Sequence, residues 1–206
     1  EPGKSQYPLG RGYGHDTIAD QLDNITSGQE DTLRFKADVA FADTLFSRDG
    51  ADLIVTIKNT ADVVRIKDHY VVVDTGPFGD QAFNRVERFV WADGSVRTWQ
   101  QIELAVLNAS MTTGADHVLG GFYDDYIDAL AGDDLLEGAD GSDTYVFGLG
   151  YGHDTIHDAY TTFLAEGEDT VLFKSGIAPS DVKIERYGEG LENARLVINA
   201  NDSITI

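Results

Sequence analysis

The sequence has no cysteine, which excludes disulfide bonds, zinc sites built on thiolates and thiol chemistry. It has no apolar run long enough for a membrane-spanning helix, and its first residues lack the pattern of a signal peptide. We therefore expect no membrane-spanning segment, and we expect any export signal to lie outside this chain. The lack of cysteine suits an exported protein that is stabilised by metal ions instead of disulfides.

Basic residues are scarce. The 206 residues include 36 acidic and 15 basic side chains, for a formal net charge of -21. Such a negatively charged chain is not expected to bind nucleic acid or anionic membranes. Its hydrophobic content of 42% is sufficient for a buried core. From Thr98 to Phe173 there is no Lys or Arg, although this stretch holds 15 acidic residues. The natural counter-charge for so many unpaired carboxylates is a metal ion.

A long internal repeat spans much of the chain. The sequence GYGHDTI occurs at residues 12–18 and again at 150–156, an offset of 138 residues. Glu-Asp-Thr at 30–32 and Phe-Lys at 35–36 recur at the same offset. Further on, residues 53–57 resemble residues 196–198 with a small shift. The chain therefore contains one full unit and the beginning of a second.

A short repeat has a period of nine residues. Its aspartates are evenly spaced, and each precedes an apolar or aromatic residue by two positions: Asp116, Asp125, Asp134 and Asp143. A fifth copy, with Asp154, follows a two-residue insertion, and the first GYGHDTI supplies an isolated copy with Asp16. Glycines in each nonamer permit tight turns, and its apolar position suits a short strand with one side chain inward. We therefore predict that two nonamers form one coil, with two strands and two turns, and that such coils stack as a parallel roll.

Turns of successive coils should stack, since they lie eighteen residues apart in the sequence. Calcium takes about six to eight oxygen ligands, which one turn cannot supply but two stacked turns can. We predict that Asp116 pairs with Asp134, Asp125 with Asp143, and Asp134 with Asp154. The predicted calcium-binding residues are Asp116, Gly120, Gly121, Asp125, Gly132, Asp134, Gly138, Asp140, Gly141, Asp143, Gly150, Gly152 and Asp154.

The nonamers resemble the RTX (haemolysin-type) calcium-binding nonapeptide G-G-x-G-x-D-x-U-x. Gly120 and Gly121 open one copy as in that family, whereas residues 111–113 and 129–131 lack the opening glycines. Residues 52–57, 62–70 and 86–94 are similar to the haemolysin-type calcium-binding-related domain, which flanks RTX repeats in large type I secreted proteins. The resemblance implies a secreted, extracellular or cell-surface segment that stays unfolded in a low-calcium cytosol and folds on binding Ca²⁺ outside.

We expect an all-β fold: a parallel β-roll of RTX nonapeptide repeats, flanked by β-rich modules, with one short helix near 99–108. Thr98 and Gln101 fit a capping box at the start of this helix. The predicted segments are 1–11, the tail of an upstream repeat block or the end of an excised fragment; 12–110, a β-rich flanking module with a capping helix; 111–158, the RTX β-roll; and 159–206, the incomplete start of a second flanking module.

Three functions agree with a calcium-binding roll. We expect a calcium-dependent folding and secretion module of a toxin or haemolysin; the alternatives are a receptor- or glycan-binding segment of an adhesin, and the non-catalytic tail of a secreted enzyme. Residues 71–76 (VVVDTG) look like an aspartic protease loop, but such enzymes pair two carboxylates and there is no second copy. We therefore expect no catalysis, and a monomer whose partners are calcium ions and, in the adhesin reading, a host-cell receptor or glycan.

Several side chains keep two interpretations. Asp124 and Asp133 directly precede repeat aspartates, and they either support the metal ligands from outside or are solvated. His15 and His153 are interpreted as turn residues, because calcium rarely takes nitrogen ligands. Four aromatic residues either pack in or on the fold or form a sugar- or receptor-binding surface: Trp91, Trp99, Tyr123 and Tyr126.

Overall fold

The computed structural model describes residues 5–19, 30–74, 80–82, 85–157, 167–188 and 193–206. Within these ranges the chain is mostly β-strand with a single α-helix, so the all-β prediction is confirmed. The chain divides into two compact units, Glu1–Val106 and Leu107–Ile206. Thr75 and Gly76 of the protease-like loop, and Asp158 and Glu166 of the acidic stretch, lie outside the described residues.

The first unit combines parallel and antiparallel strands. Its described strands are β1 (Gln6–Leu9), β2 (His15–Ile18), β3 (Thr32–Phe35), β4 (Thr44–Asp49), β5 (Asp52–Ile57), β6 (Val63–Ile66), β7 (Val72–Asp74), β8 (Asp80–Ala82), β9 (Arg88–Val90) and β10 (Val96–Thr98). One sheet has the order β1-β3-β9-β10, a second has the order β2-β6-β5-β4, and β7 pairs with β8. The pairs β1–β3, β3–β9 and β2–β6 are parallel, so coil-like stacking is joined to hairpins.

The core of the first unit follows from the alternation of its strands. In β5, Leu53, Val55 and Ile57 are fully buried while their neighbours are half-buried, because successive side chains point to opposite faces of a strand. Phe35 of β3 stacks on Trp91, which follows β9, with ring centroids 4.5 Å apart and an interplanar angle of 11°. Trp91 is therefore a core residue, and it does not form a binding surface.

The helix α1 (Trp99–Ser110) confirms the helix predicted near 99–108. The backbone N–H of Thr98 donates to Oε1 of Gln101 at 3.1 Å, which is one half of the predicted capping box. Ile102 and Val106, one turn apart, are buried in the core of the first unit. The helical spacing of apolar residues therefore gives the helix its buried face.

The second unit contains the roll. Its described strands are β11 (His117–Leu119), β12 (Tyr126–Ile127), β13 (Leu135–Glu137), β14 (Thr144–Phe147), β15 (His153–Ile156), β16 (Thr170–Phe173), β17 (Lys183–Tyr187), β18 (Asn193–Val197) and β19 (Ser203–Thr205). One sheet has the order β11-β13-β15-β19-β18-β17 and the other β12-β14-β16. Strands β11, β13, β15 and β19 are parallel in succession, as are β12, β14 and β16. Both sheets of the roll therefore continue past residue 158.

The interior of the roll is thin and apolar. The position two residues after each repeat aspartate is buried, as predicted: Val118, Ile127, Leu136, Tyr145 and Ile156, each at most 7% exposed. Leu107, near the end of α1, belongs to the same core. One inward side chain per strand fills the space between the two sheets, so the turns outside must contribute to holding the coils together.

The long repeat is visible in the structure of each unit. In the first unit β1 pairs with β3 in parallel, and in the second β14 pairs with β16 in the corresponding register, 138 residues later. Strand β2 pairs with β6 as β15 pairs with β19. The two units therefore share the arrangement of these strands, and a feature of one can be compared with its counterpart in the other.

Candidate calcium site

Two columns of stacked turns lie along the roll. The turns that lead into β11, β13 and β15 form the first column, with Asp116, Asp134 and Asp154. The turns that lead into β12, β14 and β16 form the second column. Its aspartates are Asp125, Asp143 and Asp169. These columns arise because parallel stacking of the strands in register brings each turn directly over the next.

Carboxylates link successive turns in the first column. The N–H of Asp116 donates to Oδ1 of Asp134 at 2.8 Å, and the N–H of Asp134 donates to Oδ1 of Asp154 at 3.2 Å. The two pairs predicted from the spacing in this column are therefore adjacent in the structure, including the pair that spans the insertion. Asp134 and Asp154 each use one oxygen for this link and keep a second oxygen for another ligand.

The second column repeats this link and extends it by one turn. The N–H of Asp125 donates to Oδ1 of Asp143 at 2.8 Å, as the third predicted pair requires. The N–H of Asp143 donates in turn to Oδ1 of Asp169 at 3.0 Å. Asp169 was missed as a site residue because its turn lies 26 residues further along. The signal was present, since Asp-Thr also begins the strand segments at Asp143 and Asp154.

Two buried carboxylate oxygens of the first column have no hydrogen-bond partner among the described residues. They are Oδ2 of Asp134 and Oδ2 of Asp154, whose side chains are each 2% exposed. A buried charge is costly unless it is paired or coordinates a metal. Burial, reinforced by the charges of Asp116 and Asp133, raises the pKa of Asp134. The column is therefore short of positive charge at its centre.

Asp154 shows the same shortage more strongly. Burial, together with the charges of Asp134, Asp133 and Asp202, raises the pKa of Asp154 to about 7. A carboxyl in such surroundings holds a proton unless a cation replaces it. The residues present therefore fit a bound calcium ion, whose double charge would offset these carboxylates.

The first turn of each column differs from the deeper ones. Oδ2 of Asp116 accepts the N–H of Thr112 at 2.6 Å, and its Oδ1 accepts the hydroxyl of Thr112 at 2.9 Å. Oδ2 of Asp125 accepts the N–H of Gly121 at 2.7 Å. Both aspartates are only half-buried. In the turn that lacks glycines at residues 111–113, both carboxylate oxygens of Asp116 are thus hydrogen-bonded within the turn itself.

Backbone carbonyls are the other candidate oxygen ligands of the columns. A Cβ atom on Gly132 would lie 2.5 Å from the carbonyl oxygen of Gly114 in the turn above, and one on Gly152 would overlap the carbonyl oxygen of Gly132. In the second column, a Cβ on Gly120 would overlap the carbonyl oxygen of Gly138. Glycine is required at these positions because carbonyl oxygens of one turn face the backbone of the next.

Two turns have a side chain where the RTX motif has its second glycine. Leu130 and Ala139 both have φ of 72°, a left-handed conformation that costs roughly 1 kcal/mol or more for a residue with a Cβ atom. The fifth copy has Gly150 at this position with φ of 83°. The degenerate turns therefore keep the backbone path of the motif at the expense of strain.

The remaining predicted site residues take varied positions. Asp140 is 2% exposed, and its N–H donates to the carbonyl of Gly121 at 3.2 Å in the turn above. Gly141 has φ of 129°, and a Cβ there would lie 2.7 Å from the carbonyl carbon of Tyr123. The N–H of Gly150 donates to Oδ1 of Asp202 at 2.9 Å. Metal binding by each residue remains a prediction, but all of them lie in the two columns.

Asp124 and Asp133 link the coils from outside the columns. Oδ1 of Asp124 accepts the N–H of Ser142 at 2.8 Å, and Oδ1 of Asp133 accepts the N–H of His153 at 2.8 Å. Both side chains are exposed, yet each spans two successive turns. They therefore position the turns of the columns, which supports the interpretation as outer residues over that of solvated ones.

Asp62 and Asp202 cap the two GYG turns, a role that the sequence did not reveal. Asp62 accepts the N–H groups of Gly12 and Gly14 at 2.8 and 2.7 Å; these bonds lower its pKa. Oδ1 of Asp202 accepts those of Gly150 and Gly152 at 2.9 and 3.2 Å. The two caps lie at different distances from their turns in the sequence, so a search at one fixed offset misses them.

The donor set is dominated by backbone and carboxylate oxygens. Within the described residues, no group of three or more His, Cys, Asp or Glu side chains is arranged to hold a metal ion. A zinc-type site of converging side chains is thus not seen there. Carbonyl oxygens with one carboxylate from each turn suit calcium, which accepts flexible, oxygen-rich coordination. Nor does any helix in the described ranges have the length and apolarity to cross a membrane.

Two family models match parts of this chain. Residues 52–101 match the family model of the haemolysin-type calcium binding protein related domain, and residues 112–145 match that of the RTX calcium-binding nonapeptide repeat in four copies. No curated protein matches the chain. Among solved structures, the extracellular lipase LipA from Serratia marcescens is similar at 14% identity with a TM-score of 0.25; the match covers 100% of this chain and 36% of the lipase chain. The chain carries RTX calcium-binding repeats beside a haemolysin-type calcium-binding-related domain, and it is thus a calcium-binding segment of an RTX-type protein.

Proposed function

We propose that this chain is a calcium-dependent folding segment of a large bacterial protein of the toxin or haemolysin type that leaves the cell by type I secretion. In a low-calcium cytosol the roll would stay open, and in external calcium it would close. Binding free energy becomes folding free energy when the unfolded chain has no preformed site. The toxin or haemolysin type and the secretion route are proposed for the parent protein, and calcium-dependent folding is proposed for this segment.

The observation that supports the proposal best is the buried pair of carboxylates in the first column. Asp134 and Asp154 are each 2% exposed and each keep an oxygen without a hydrogen-bond partner among the described residues. Without a cation, the stacked turns bring these charges together in a poorly solvated place, which opposes folding. With calcium, the same carboxylates hold successive coils together. The roll is therefore suited to act as a switch that external calcium closes.

Far-UV circular dichroism of the chain, titrated with calcium and separately with magnesium, tests this function. We expect a cooperative gain of β-sheet signal with calcium only, because magnesium demands a compact octahedral site and gives up its water reluctantly. A spectrum that is complete in chelator and insensitive to calcium would overturn calcium-dependent folding. An equal response to both ions would show charge screening in place of specific coordination.

An adhesin is the second candidate, and one observation favours it. Tyr126 in β12 and Tyr123 in the turn before it are 58% and 57% exposed, and exposed tyrosines are common in recognition surfaces. Binding of the calcium-loaded chain to host cells or a glycan array, compared with Tyr123→Ser and Tyr126→Ser, would support this function if the variants lose binding. Folding on calcium without such binding would favour the secretion role alone.

We also infer that this segment has no catalytic role of its own, whether its parent is a toxin or a secreted enzyme. The protease-like loop offers one carboxylate, Asp74, whereas aspartic proteases share a proton between two. A peptidase assay of the chain with and without Asp74→Ala would test this inference. Activity that disappears in the variant would contradict it. Identification of a catalytic domain in the parent would decide between the toxin and enzyme readings.

A further inference from the structure

Among the described residues of the second unit, no strand covers the outer edge of β16, whereas the corresponding edge in the first unit is covered. Strand β16 pairs with β14 on one side, and in the described residues no strand pairs with its other side. In the first unit, β3 pairs with β1 in the same way and with β9 on its other side. An exposed strand edge is a template for a further strand.

Glu87 and Arg88, at the start of β9, make polar contacts with residues 30–31, and the same residue types recur in the second unit. The N–H of Asp31 donates to Oε2 of Glu87 at 2.6 Å, and the N–H of Arg88 donates to the carbonyl of Asp31 at 3.0 Å. A salt bridge of 3.5 Å joins Arg88 to Glu30. The same residue types, Glu and Asp in succession, stand before β16 at residues 168–169, where both are exposed.

The apolar positions of the covered edge recur as well. Trp91, carried by the segment that contains β9, stacks on Phe35, and both rings are at most 2% exposed. The counterpart of Phe35 is Phe173, which contacts Phe147 edge-on at 6.4 Å and remains half-buried. The counterpart of Leu33, which is 1% exposed, is Val171, also half-buried. The open edge therefore has the apolar positions that a further strand would cover.

We propose that the edge of β16 docks one further parallel strand of the β9 type, supplied by another haemolysin-type module. The occupant carries a carboxylate, an arginine, a phenylalanine and, two residues later, a tryptophan, as residues 87–91 do. Its arginine faces Glu168, its backbone pairs with Val171, and its tryptophan covers Phe173. This is strand addition at a sheet edge, in which main-chain hydrogen bonds give affinity and side-chain contacts give selectivity. It joins calcium-loaded rolls to neighbouring modules, beyond calcium binding itself.

A peptide of residues 85–98 is the direct probe. We expect the labelled peptide to bind the calcium-loaded full chain saturably by fluorescence anisotropy, and a peptide with Trp91→Ala to bind roughly tenfold more weakly. In amide hydrogen exchange, the N–H of Val171 should gain protection, because alternate residues of β16 face the open edge. Protection there distinguishes docking on β16 from exchange with the strand already paired to β3. Failure to bind, or binding without protection of Val171, would overturn the proposal.

Two variants at one position provide a matched control. Val171→Pro removes the outward N–H, and proline is tolerated at a strand edge where that group faces solvent. Val171→Ala shortens the side chain but keeps both backbone groups. We expect roughly tenfold weaker binding for Val171→Pro and nearly unchanged binding for Val171→Ala. Equal binding by the two variants would contradict strand addition. The peptide series on the unmodified chain decides the matter even if the proline variant does not fold.

Discussion

Replacement of Asp134 by Asn separates a calcium ligand from an ordinary buried carboxylate. The side chain keeps its shape, and the amide oxygen still accepts the N–H of Asp116, which lies 2.8 Å from Oδ1 in the native chain. The change is at Oδ2, which is buried without a hydrogen-bond partner among the described residues. Asp134→Asn therefore removes a charge and one potential metal ligand but keeps the link between the turns.

The expected effect has opposite signs with and without calcium. In chelator the variant should be more stable than the native chain, because burial and the charges of Asp116 and Asp133 disfavour the charged carboxylate. In calcium it should be less stable, since a hydrogen bond or contact to a charged group contributes about 1.5–3 kcal/mol. This loss corresponds to a roughly ten- to hundredfold higher calcium concentration at the folding midpoint.

Urea unfolding followed by circular dichroism, in chelator and in calcium, measures both signs. Asp128→Asn is the matched control, because Asp128 lies outside the columns and bonds Nζ of Lys174 at 2.7 Å and the hydroxyl of Tyr151 at 2.8 Å. This partly exposed ion pair should contribute about 1 kcal/mol or less in either condition. The reasoning is refuted if Asp134→Asn changes stability with the same sign in both buffers, or if Asp128→Asn moves the calcium midpoint equally.

Three further predictions concern the turns. Gly120→Ala should destabilise the calcium-loaded roll by roughly 1–3 kcal/mol, because its Cβ would overlap a carbonyl oxygen of the next turn. Gly121→Ala is the control, since the atom nearest to a Cβ there is 3.8 Å away. Thermal unfolding should show a clearly lower midpoint for Gly120→Ala than for Gly121→Ala. Leu130→Gly and Ala139→Gly, which relieve φ of 72°, should each lower the calcium midpoint or at least leave it unchanged; a marked rise would argue against strain. In chelator, the free energy of unfolding should fall as pH rises from about 4 to about 7, because Asp154, with a pKa of about 7 in the folded state, keeps a proton that the unfolded chain has released. Urea titrations at several pH values measure this slope, and calcium should remove it. A slope that calcium leaves unchanged would contradict competition between proton and metal.

The roll could be predicted from the sequence because its period is local. Evenly spaced aspartates, each followed by an apolar residue, determine both the strand spacing and the inward positions, and Val118, Ile127 and Leu136 are buried accordingly. Stacked turns follow directly, so Asp116 meets Asp134 as the spacing requires. The helix was also predictable, since its capping and apolar spacing are contained within a few residues.

Partners that lie far apart in the sequence could not be predicted in the same way. Asp202 meets Gly150 across 52 residues, and Asp169 meets Asp143 across 26. Intervening segments of variable length hide these partners, because the fold depends on which strands become neighbours and not on the number of residues between them. Burial was equally hidden: the raised pKa of Asp154 depends first on its burial and then on the charges of Asp134, Asp133 and Asp202. Sequence periodicity therefore locates the donors, while only the fold shows which oxygens remain for a metal.

The two units differ in what stabilises them, and this difference should confine calcium dependence to the second unit. In both units an aspartate neutralises the turn's N–H groups, Asp62 in the first and Asp202 in the second, so these turns need no metal to satisfy their backbone. The first unit then relies on apolar burial, with Phe35 and Trp91 stacked at its centre. The second unit instead stacks buried carboxylates on a thin core, and their repulsion keeps this arrangement only weakly stable until a cation offsets it. Part of the β-sheet signal should accordingly persist in chelator, and the calcium-dependent part should report the roll.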